Sequence, residues 1–350
     1  MNSKIDIRKI LVTGSEGYIG SVLMPLLVEK GYEITGLDTC FYSAGNFDKK
    51  LNVNYNLLKK DIRDISEDTL ENFDAVIHLA ALSNDPLGML DEKLTFDINY
   101  TASLELAKMA RKVGVKRFVF SSSCSLYGYS NNVLTEKDIP NPQTAYGKSK
   151  IMAEREISKL ADDHFSPVFL RNATAFGISP RMRFDLVVNS LTGFAKTKNE
   201  IRILGDGTPW RPLVHVNDIS NAIITVLRAS KSVIHNQAFN VGSNKENYQI
   251  KTIAECVKKQ YSNCEVRIMQ KMASDTRNYS VSFNKLNSEL GFNSEISLEE
   301  GIAINASCYE KIMLNKAIFE SSLYTRLKQI ELLIDQKKID KKLRWINNEF

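Results

Sequence analysis

KILVTGSEGYIG, residues 9–20, joins a short apolar run to three glycines, at 14, 17 and 20, and then to a helical pattern predicted over Tyr18 to Lys30. Glycines between a strand and a helix let the backbone approach a pyrophosphate, whose charge is favoured by the free N–H groups and the dipole of the helix N-terminus. The spacing of the trio departs from G-x-G-x-x-G, and an ordinary tight strand-to-helix turn uses glycine for the same freedom. The stretch alone therefore leaves both roles open, and its neighbours have to decide.

The next apolar run, YEITGLD at 32–38, ends in Asp38. An acidic side chain at the end of a second strand accepts hydrogen bonds from adenosine ribose hydroxyls and repels a 2′-phosphate, which favours NAD over NADP; the bland alternative is a strand-end turn former. Further strand candidates are AVIHLA (75–80), RFVFSSS (117–123) and PVFLRN (167–172), with helices predicted at 91–113 and 145–161. Alternation of short β-rich runs with helices implies a parallel sheet covered by helices.

Past Arg171 the regularity fades into loops with Pro180, Pro209 and Pro212, a short strand IRILG, and helices around 216–230 and 249–260. We expect a first domain over 1–172, a smaller lobe over 173–315 interleaved with late elements of the first, and a helical extension over 316–350. Apolar Leu327, Ile330, Leu332, Leu333 and Ile334 give that extension a face expected to pack on its own lobe or on a sister subunit.

The 350 residues are 43% hydrophobic, enough for a large core. No signal-peptide apolar region opens the chain and no run of about 18 apolar residues interrupts it, so a soluble cytoplasmic protein with no membrane partner is expected. Cys40, Cys124, Cys256, Cys264 and Cys308 are scattered without disulfide or zinc spacing, and no metal is expected. A net charge of +5, spread along the chain, permits a small anionic ligand but lacks the dense patch that nucleic acid demands.

AYGKSK, 145–150, follows the turn-forming IPNPQT and places Tyr146 and Lys150 one helical turn apart. A free tyrosine titrates near pH 10; a neighbouring ammonium and a cationic nicotinamide both favour the phenolate. SSSCSLYG, 121–128, supplies hydroxyls where doubly wound sheets bind ligands, beyond the carboxyl ends of strands. A solvated helix face and a polar turn would explain either motif by itself. Glycine trio, strand-end serine and Tyr/Lys pair each fall where a doubly wound sheet needs them.

With these motifs the chain resembles the extended short-chain dehydrogenase/reductase family, in particular its nucleotide-sugar epimerases, dehydratases and reductases. The resemblance spans roughly residues 8–315 and adds DIR at 61–63, HLAA at 78–81, Asn99, and RPLVHVND at 211–218. It implies an α/β fold, a Rossmann-type doubly wound parallel sheet with a smaller mixed α/β substrate-binding lobe, and a homodimer. It also implies NAD contacts from Gly14, Gly17, Tyr18, Ile19, Gly20, Asp38, Asp61, Ile62, Leu79, Ala80, Ala81 and Asn99. Ser123, Tyr146 and Lys150 would form the catalytic set, with Tyr146 as acid/base, Ser123 positioning a sugar oxygen, and Lys150 holding the nicotinamide ribose.

For the substrate, the resemblance implies contacts from Ser83, Ser123, Thr174, Arg211 and Arg277, the arginines suiting a nucleoside diphosphate. Thr174 stands where the family's R-x-x-N-x-x-G loop carries asparagine. Dehydratases of the family have Asp-Glu directly after the catalytic serine or threonine, where this chain has Cys124 and Ser125. The expectation is therefore an epimerase working through a transient 4-keto sugar. A 4-keto-sugar reductase or a sugar C4 dehydrogenase would share every motif, and a non-catalytic dinucleotide sensor is the alternative of another class.

Overall fold

The computed structural model describes residues 7–47, 53–83, 91–269 and 277–346. Seven strands form the main sheet: β1 (Lys9–Thr13), β2 (Glu33–Asp38), β3 (Asn56–Lys59), β4 (Ala75–His78), β5 (Arg117–Ser123), β6 (Ser166–Asn172) and β7 (Gln237–Val241). Their order is β7-β6-β5-β4-β1-β2-β3, with every pairing parallel. The order reverses between β1 and β4, which opens the crevice at the carboxyl ends where ligands of such sheets bind. Central strands are buried along nearly their whole length, as parallel strands covered on both faces must be.

β3 and β7 were not among the strands expected from sequence. NLLK is a four-residue, half-exposed edge strand with little periodic signal. QAFNV pairs with β6 and returns the chain to the sheet after the second lobe has begun, so the lobe is an insertion tethered on both sides. Helices observed at Gly20–Glu29, Ala145–Ser158, Val216–Arg228 and Ile250–Gln260 match the expected ones apart from their ends. The stretch expected as one helix over 91–113 consists of Glu92–Phe96, a π-helical turn Asp97–Ala102 and Ser103–Lys112.

Arg117, fully buried at the start of β5, aims its guanidinium at the end of the 216–228 helix. Its Nη1 donates to the carbonyls of Val226, Leu227 and Ala229 at 2.7, 3.0 and 3.1 Å. A cation there satisfies carbonyls that the helix leaves unpaired and complements the negative end of its dipole.

The second lobe contains a three-stranded sheet of Thr174–Phe176, Trp210–His215 and Asn247–Gln249. Strand pairs Glu200–Leu204 with Glu265–Met269, and Tyr129–Leu134 with Asn278–Val281, complete its β-structure among the described residues. The C-terminal region is not the continuous helix anticipated. It runs through Lys316–Glu320, Ser322–Tyr324 and Arg326–Asp335, then, past Lys337 in the left-handed region, into a bridge between Ile339 and Trp345. Phe319 packs among second-lobe aromatics, whereas Ile330, Leu333, Ile339 and Leu343 join Leu11, Leu37, Phe41 and Ile62 in the core of the first domain. The extension therefore crosses from lobe to sheet, because its apolar side chains recur in two separate segments.

Candidate active site

Gly14 directly follows β1 with φ +74°, and a Cβ there would lie 2.7 Å from Ala80 N. A Cβ on Gly20 would collide with the carbonyl oxygens of Gly14 and Ser15, and one on Gly17 would stand 3.1 Å from Gly14 O. The loop is closed by Gly17 N–H donating to Gly14 O at 3.0 Å and Gly14 N–H donating to Leu37 O at 2.8 Å. Ile19 precedes the helix that Gly20 begins. Gly14 and Gly20 are thus sterically required, and Gly17 leaves little spare room, where a strand, a turn and a helix converge on one another.

Asp38 accepts from Glu16 N at 3.0 Å and from Cys40 N at 2.7 Å, so its carboxylate is pinned beside the glycine turn. Burial pushes its pKa up to about 6 despite those two donors. Asp61 is buried, accepts from Arg63 N at 2.8 Å, and pairs with the Arg63 and Arg344 guanidiniums at 2.7 and 3.3 Å. Ile62 is buried beside it.

A chain of hydrogen bonds runs from the loop after β4 to the π-helical turn. Ala80 N–H faces Thr13 Oγ1 at 3.4 Å, Thr13 Oγ1 lies 2.6 Å from His78 Nδ1, and His78 Nε2 lies 2.8 Å from Ser103 Oγ, which donates to Asn99 O at 2.9 Å. Since Ser103 spends its proton on Asn99, His78 must carry hydrogen on Nε2 and accept from Thr13 at Nδ1. Burial holds the ring pKa at about 3, so it stays neutral. Asn99 then clamps Leu82, accepting from its N–H at 2.8 Å and donating to its carbonyl at 3.1 Å. This fixes the course of Leu79, Ala80 and Ala81, which are half-exposed along the crevice.

Asn99 also reaches Ser149 Oγ at 3.3 Å, and Ser149 donates to Tyr146 O at 2.8 Å, tying the crevice to the helix of the Tyr/Lys pair. Thr144 caps that helix through Gly147 N–H. Tyr146 is half-buried in its first turn, and Lys150 Nζ lies 6.0 Å from the Tyr146 ring centroid and 4.8 Å from that of Phe120. Lys150 is 2% exposed and donates to Ser121 O at 2.8 Å; desolvation pulls its pKa down to about 7.

Ser123 ends β5 and accepts from Ser125 N at 3.2 Å and from Ser125 Oγ at 2.9 Å. With both lone pairs engaged, the Ser123 hydroxyl is left as a donor for a third group. Cys124 is fully buried, its thiol directed at Arg171 O 3.0 Å away and its pKa raised by burial. The structure thus brings Ser123, Tyr146 and Lys150 to one end of β5 and turns Cys124 away into the core.

In the second lobe, Arg211 is buried, donates to Trp210 O at 2.8 Å and Arg277 O at 2.7 Å, and stands 5.7 Å from the Tyr279 ring centroid. Arg211 and Arg277 are therefore neighbours. Thr174, half-buried, pairs with Leu213 on the adjacent strand. The Tyr18 side chain leaves the glycine loop for the second lobe, donating to Gly177 O at 2.7 Å and lying 3.3 Å from Asn189 Nδ2.

Contacts not anticipated from sequence close the same seam. Arg181 pairs with Glu16, and Arg183 pairs with Asp185 at 2.9 Å while its Nη1 donates to Ser83 Oγ at 3.1 Å. The signal was PRMRFD at 180–185, whose close-set charges suggest paired rather than solvated groups. Turn, carboxylate and buried cation suit a dinucleotide: the glycine cradle is closely packed against backbone, Asp38 is pinned beside it by Glu16 N–H and Cys40 N–H, and Lys150 stands beside Tyr146.

Residues 10–242 match the NAD dependent epimerase/dehydratase family. A UDP-glucose 4-epimerase of Corynebacterium glutamicum is 28% identical over 82% of this chain and 91% of its own length. A putative UDP-glucose 4-epimerase of Methanocaldococcus jannaschii is 29% identical over 84% and 95%. Among solved structures, a Thermotoga maritima UDP-glucose 4-epimerase with UDP-glucose superposes with a TM-score of 0.77 at 26% identity, covering 87% of this chain and 99% of that one. Among the described residues, no helix is long and apolar enough to cross a membrane. The chain belongs to the NAD-dependent epimerase/dehydratase family and is an enzyme whose cofactor is NAD.

Proposed function

We propose that this protein is a nucleotide-sugar 4-epimerase working through a transient 4-keto sugar. Support comes from the meeting of Ser123, Tyr146 and Lys150 at the end of β5, with Cys124 and Ser125, and not an acid and a base, directly after Ser123. A dehydratase must protonate a leaving hydroxyl and remove a second proton. Cys124 is buried against a carbonyl, and Ser125 is committed to Ser123.

The Gly14–Gly20 turn, Asp38, Asp61/Ile62, the 79–81 loop, Asn99 and Lys150 would hold NAD, which would supply a reversible hydride acceptor. Tyr146 takes the proton of the sugar C4 hydroxyl as C4 loses its hydride and the carbonyl forms. The C4 ketone would turn over in the second lobe, and Tyr146 would return the proton to its oxygen as the carbonyl is reduced on the other face. Ser123 donates to the same oxygen, whose negative charge grows in the return step. Lys150 favours the phenolate electrostatically.

The diphosphate would lie near Arg211 and Arg277, with Ser83 and Thr174 toward the sugar. Relatives named for UDP-glucose make UDP-sugars the first substrates to try. We also propose a homodimer through the helices Ser103–Lys112 and Ala145–Ser158, for which a monomeric mass in solution would be decisive against. The deciding experiment is to identify the cofactor that co-purifies and then incubate the protein with UDP-, GDP-, dTDP- and CDP-sugars. Retained NAD and a C4-inverted product are expected. Turnover only with added NADH and a 4-keto sugar would make it a reductase.

A further inference from the structure

Three of the four residues after Asp38 are held by the C-terminal segment. Trp345 Nε1 donates to Thr39 O at 2.7 Å, and its ring lies 5.6 Å from that of Phe41. Gln329 Nε2 donates to Phe41 O at 3.3 Å, and the Arg326 guanidinium sits 4.0 Å from the Tyr42 ring centroid. The same segment grips the turn at 61–64. Arg63 donates to Lys342 O and Leu343 O at 3.0 and 3.1 Å, and Arg344 pairs with Asp61 and Asp64.

These two stretches are the ones assigned above to the adenosine half of NAD, and they need outside support. The loop leaves the sheet through Cys40 at φ 60°, a conformation that a residue with a side chain keeps only where its surroundings impose it. The neighbouring β3 is a four-residue edge strand. Hydrophobic closure of the extension is carried by Ile330, Leu333, Ile339 and Leu343. The polar and aromatic contacts are additional to it, and they converge on the Asp38 loop and the Asp61 turn.

We propose that residues 326–346 form a strap that positions the adenosine-binding segments and so sets how long NAD stays bound, without touching the reacting atoms. Trp345, Arg344 and Gln329 are positioning residues in this reading, which rests on the NAD site described above. Tyr146 and Lys150 lie on the helix Ala145–Ser158, and none of the strap contacts named here falls on it. The strap therefore acts on retention and leaves the hydride and proton steps to other groups.

The test measures release of NAD from the purified holoprotein after dilution, together with kcat at saturating NAD. Trp345→Ala should release NAD about tenfold faster and Arg344→Gln about threefold faster, because losses at a binding surface fall mainly on the dissociation rate. Trp345→Phe, which keeps the ring stack but loses the indole N–H, should fall between wild type and Trp345→Ala. kcat should stay within about twofold, and the rise in melting temperature on adding NAD should shrink, which a purely structural role would not produce. Release rates equal to wild type in natively folded Trp345→Ala and Arg344→Gln would overturn the strap. If Trp345→Ala fails to fold, Trp345→Phe and Arg344→Gln decide. A wild-type protein that binds neither NAD nor NADH would overturn the site assignment itself, whereas wild-type binding with unaltered variants overturns only the strap.

Discussion

Lys150 Nζ donates to the main-chain carbonyl of Ser121 at 2.8 Å, two residues before Ser123 on the same strand. The contact fixes the ammonium beside Tyr146 while costing it most of its hydration. Burial lowers the Lys150 pKa from 10.5 to about 7. Between those values the unfolded chain binds a proton that the folded apoprotein does not, so stability should rise with pH from about 7 to 10.5. Below that window the burial penalty is complete. Melting curves of apoprotein across it should show the rise, and Lys150→Met should flatten it.

Tyr146→Phe keeps the ring and removes the proton-exchanging oxygen. Turnover should fall by about 10²–10⁴-fold while NAD content stays near wild type. Single-turnover spectra of the nicotinamide with a UDP-sugar give the readout, and undiminished reduction would end the proposed role of Tyr146. Ser123→Ala should lower kcat more than it raises KM, since its donor strengthens against the charge that develops on the oxygen.

Gly14→Ala places a methyl group 2.7 Å from Ala80 N at φ +74°. The left-handed backbone alone costs a non-glycine residue about 1–2 kcal/mol, and the clash comes on top. A lower melting temperature and at least about tenfold weaker NAD binding by calorimetry are expected.

His78 and His215 are both buried and neutral, with pKa values lowered to about 3 and about 4 by desolvation. Their unfolded counterparts titrate near 6.5, so the unfolded state binds more protons as pH drops and stability is lost from about 6.5 downward. Denaturant melts between pH 7 and 4 should show the decline, less steeply in His78→Leu. At neutral pH that variant should be less stable by about 1–3 kcal/mol, because Thr13 and Ser103 lose a buried partner.

Arg183→Ala leaves the largely enclosed Asp185 carboxylate, 14% exposed, without its bidentate partner and frees Ser83. Such a broken buried pair costs about 3–5 kcal/mol. Urea melts should show that loss, and Arg183→Lys should recover part of the charge but not the two-pronged geometry.

The elements carrying the site were legible where one local rule set their form. The glycine turn needs close backbone approach, β4 and β5 are each built on a short apolar run, and Tyr146 and Lys150 follow helical spacing. β3 was not legible because NLLK owes its strand to the neighbour β2, and β7 because its partner lies some seventy residues earlier in β6. The same holds for Arg183 meeting Ser83 across 100 positions. Cys124, by contrast, was informative as a departure: a thiol where chemistry would want a carboxylate.

The bond from Trp345 to Thr39 spans 306 positions, and this has a consequence for biosynthesis. Domains form from the N-terminus as the chain emerges, but contacts of such separation must wait for loop closure over nearly the whole sequence. The glycine turn and the Tyr/Lys helix have left the ribosome long before the residues that brace the Asp38 loop. Stable capture of NAD is therefore expected only after residues 326–346 have emerged from the ribosome. Nascent chains stalled before residue 326 should fold a protease-resistant sheet that fails to hold the dinucleotide.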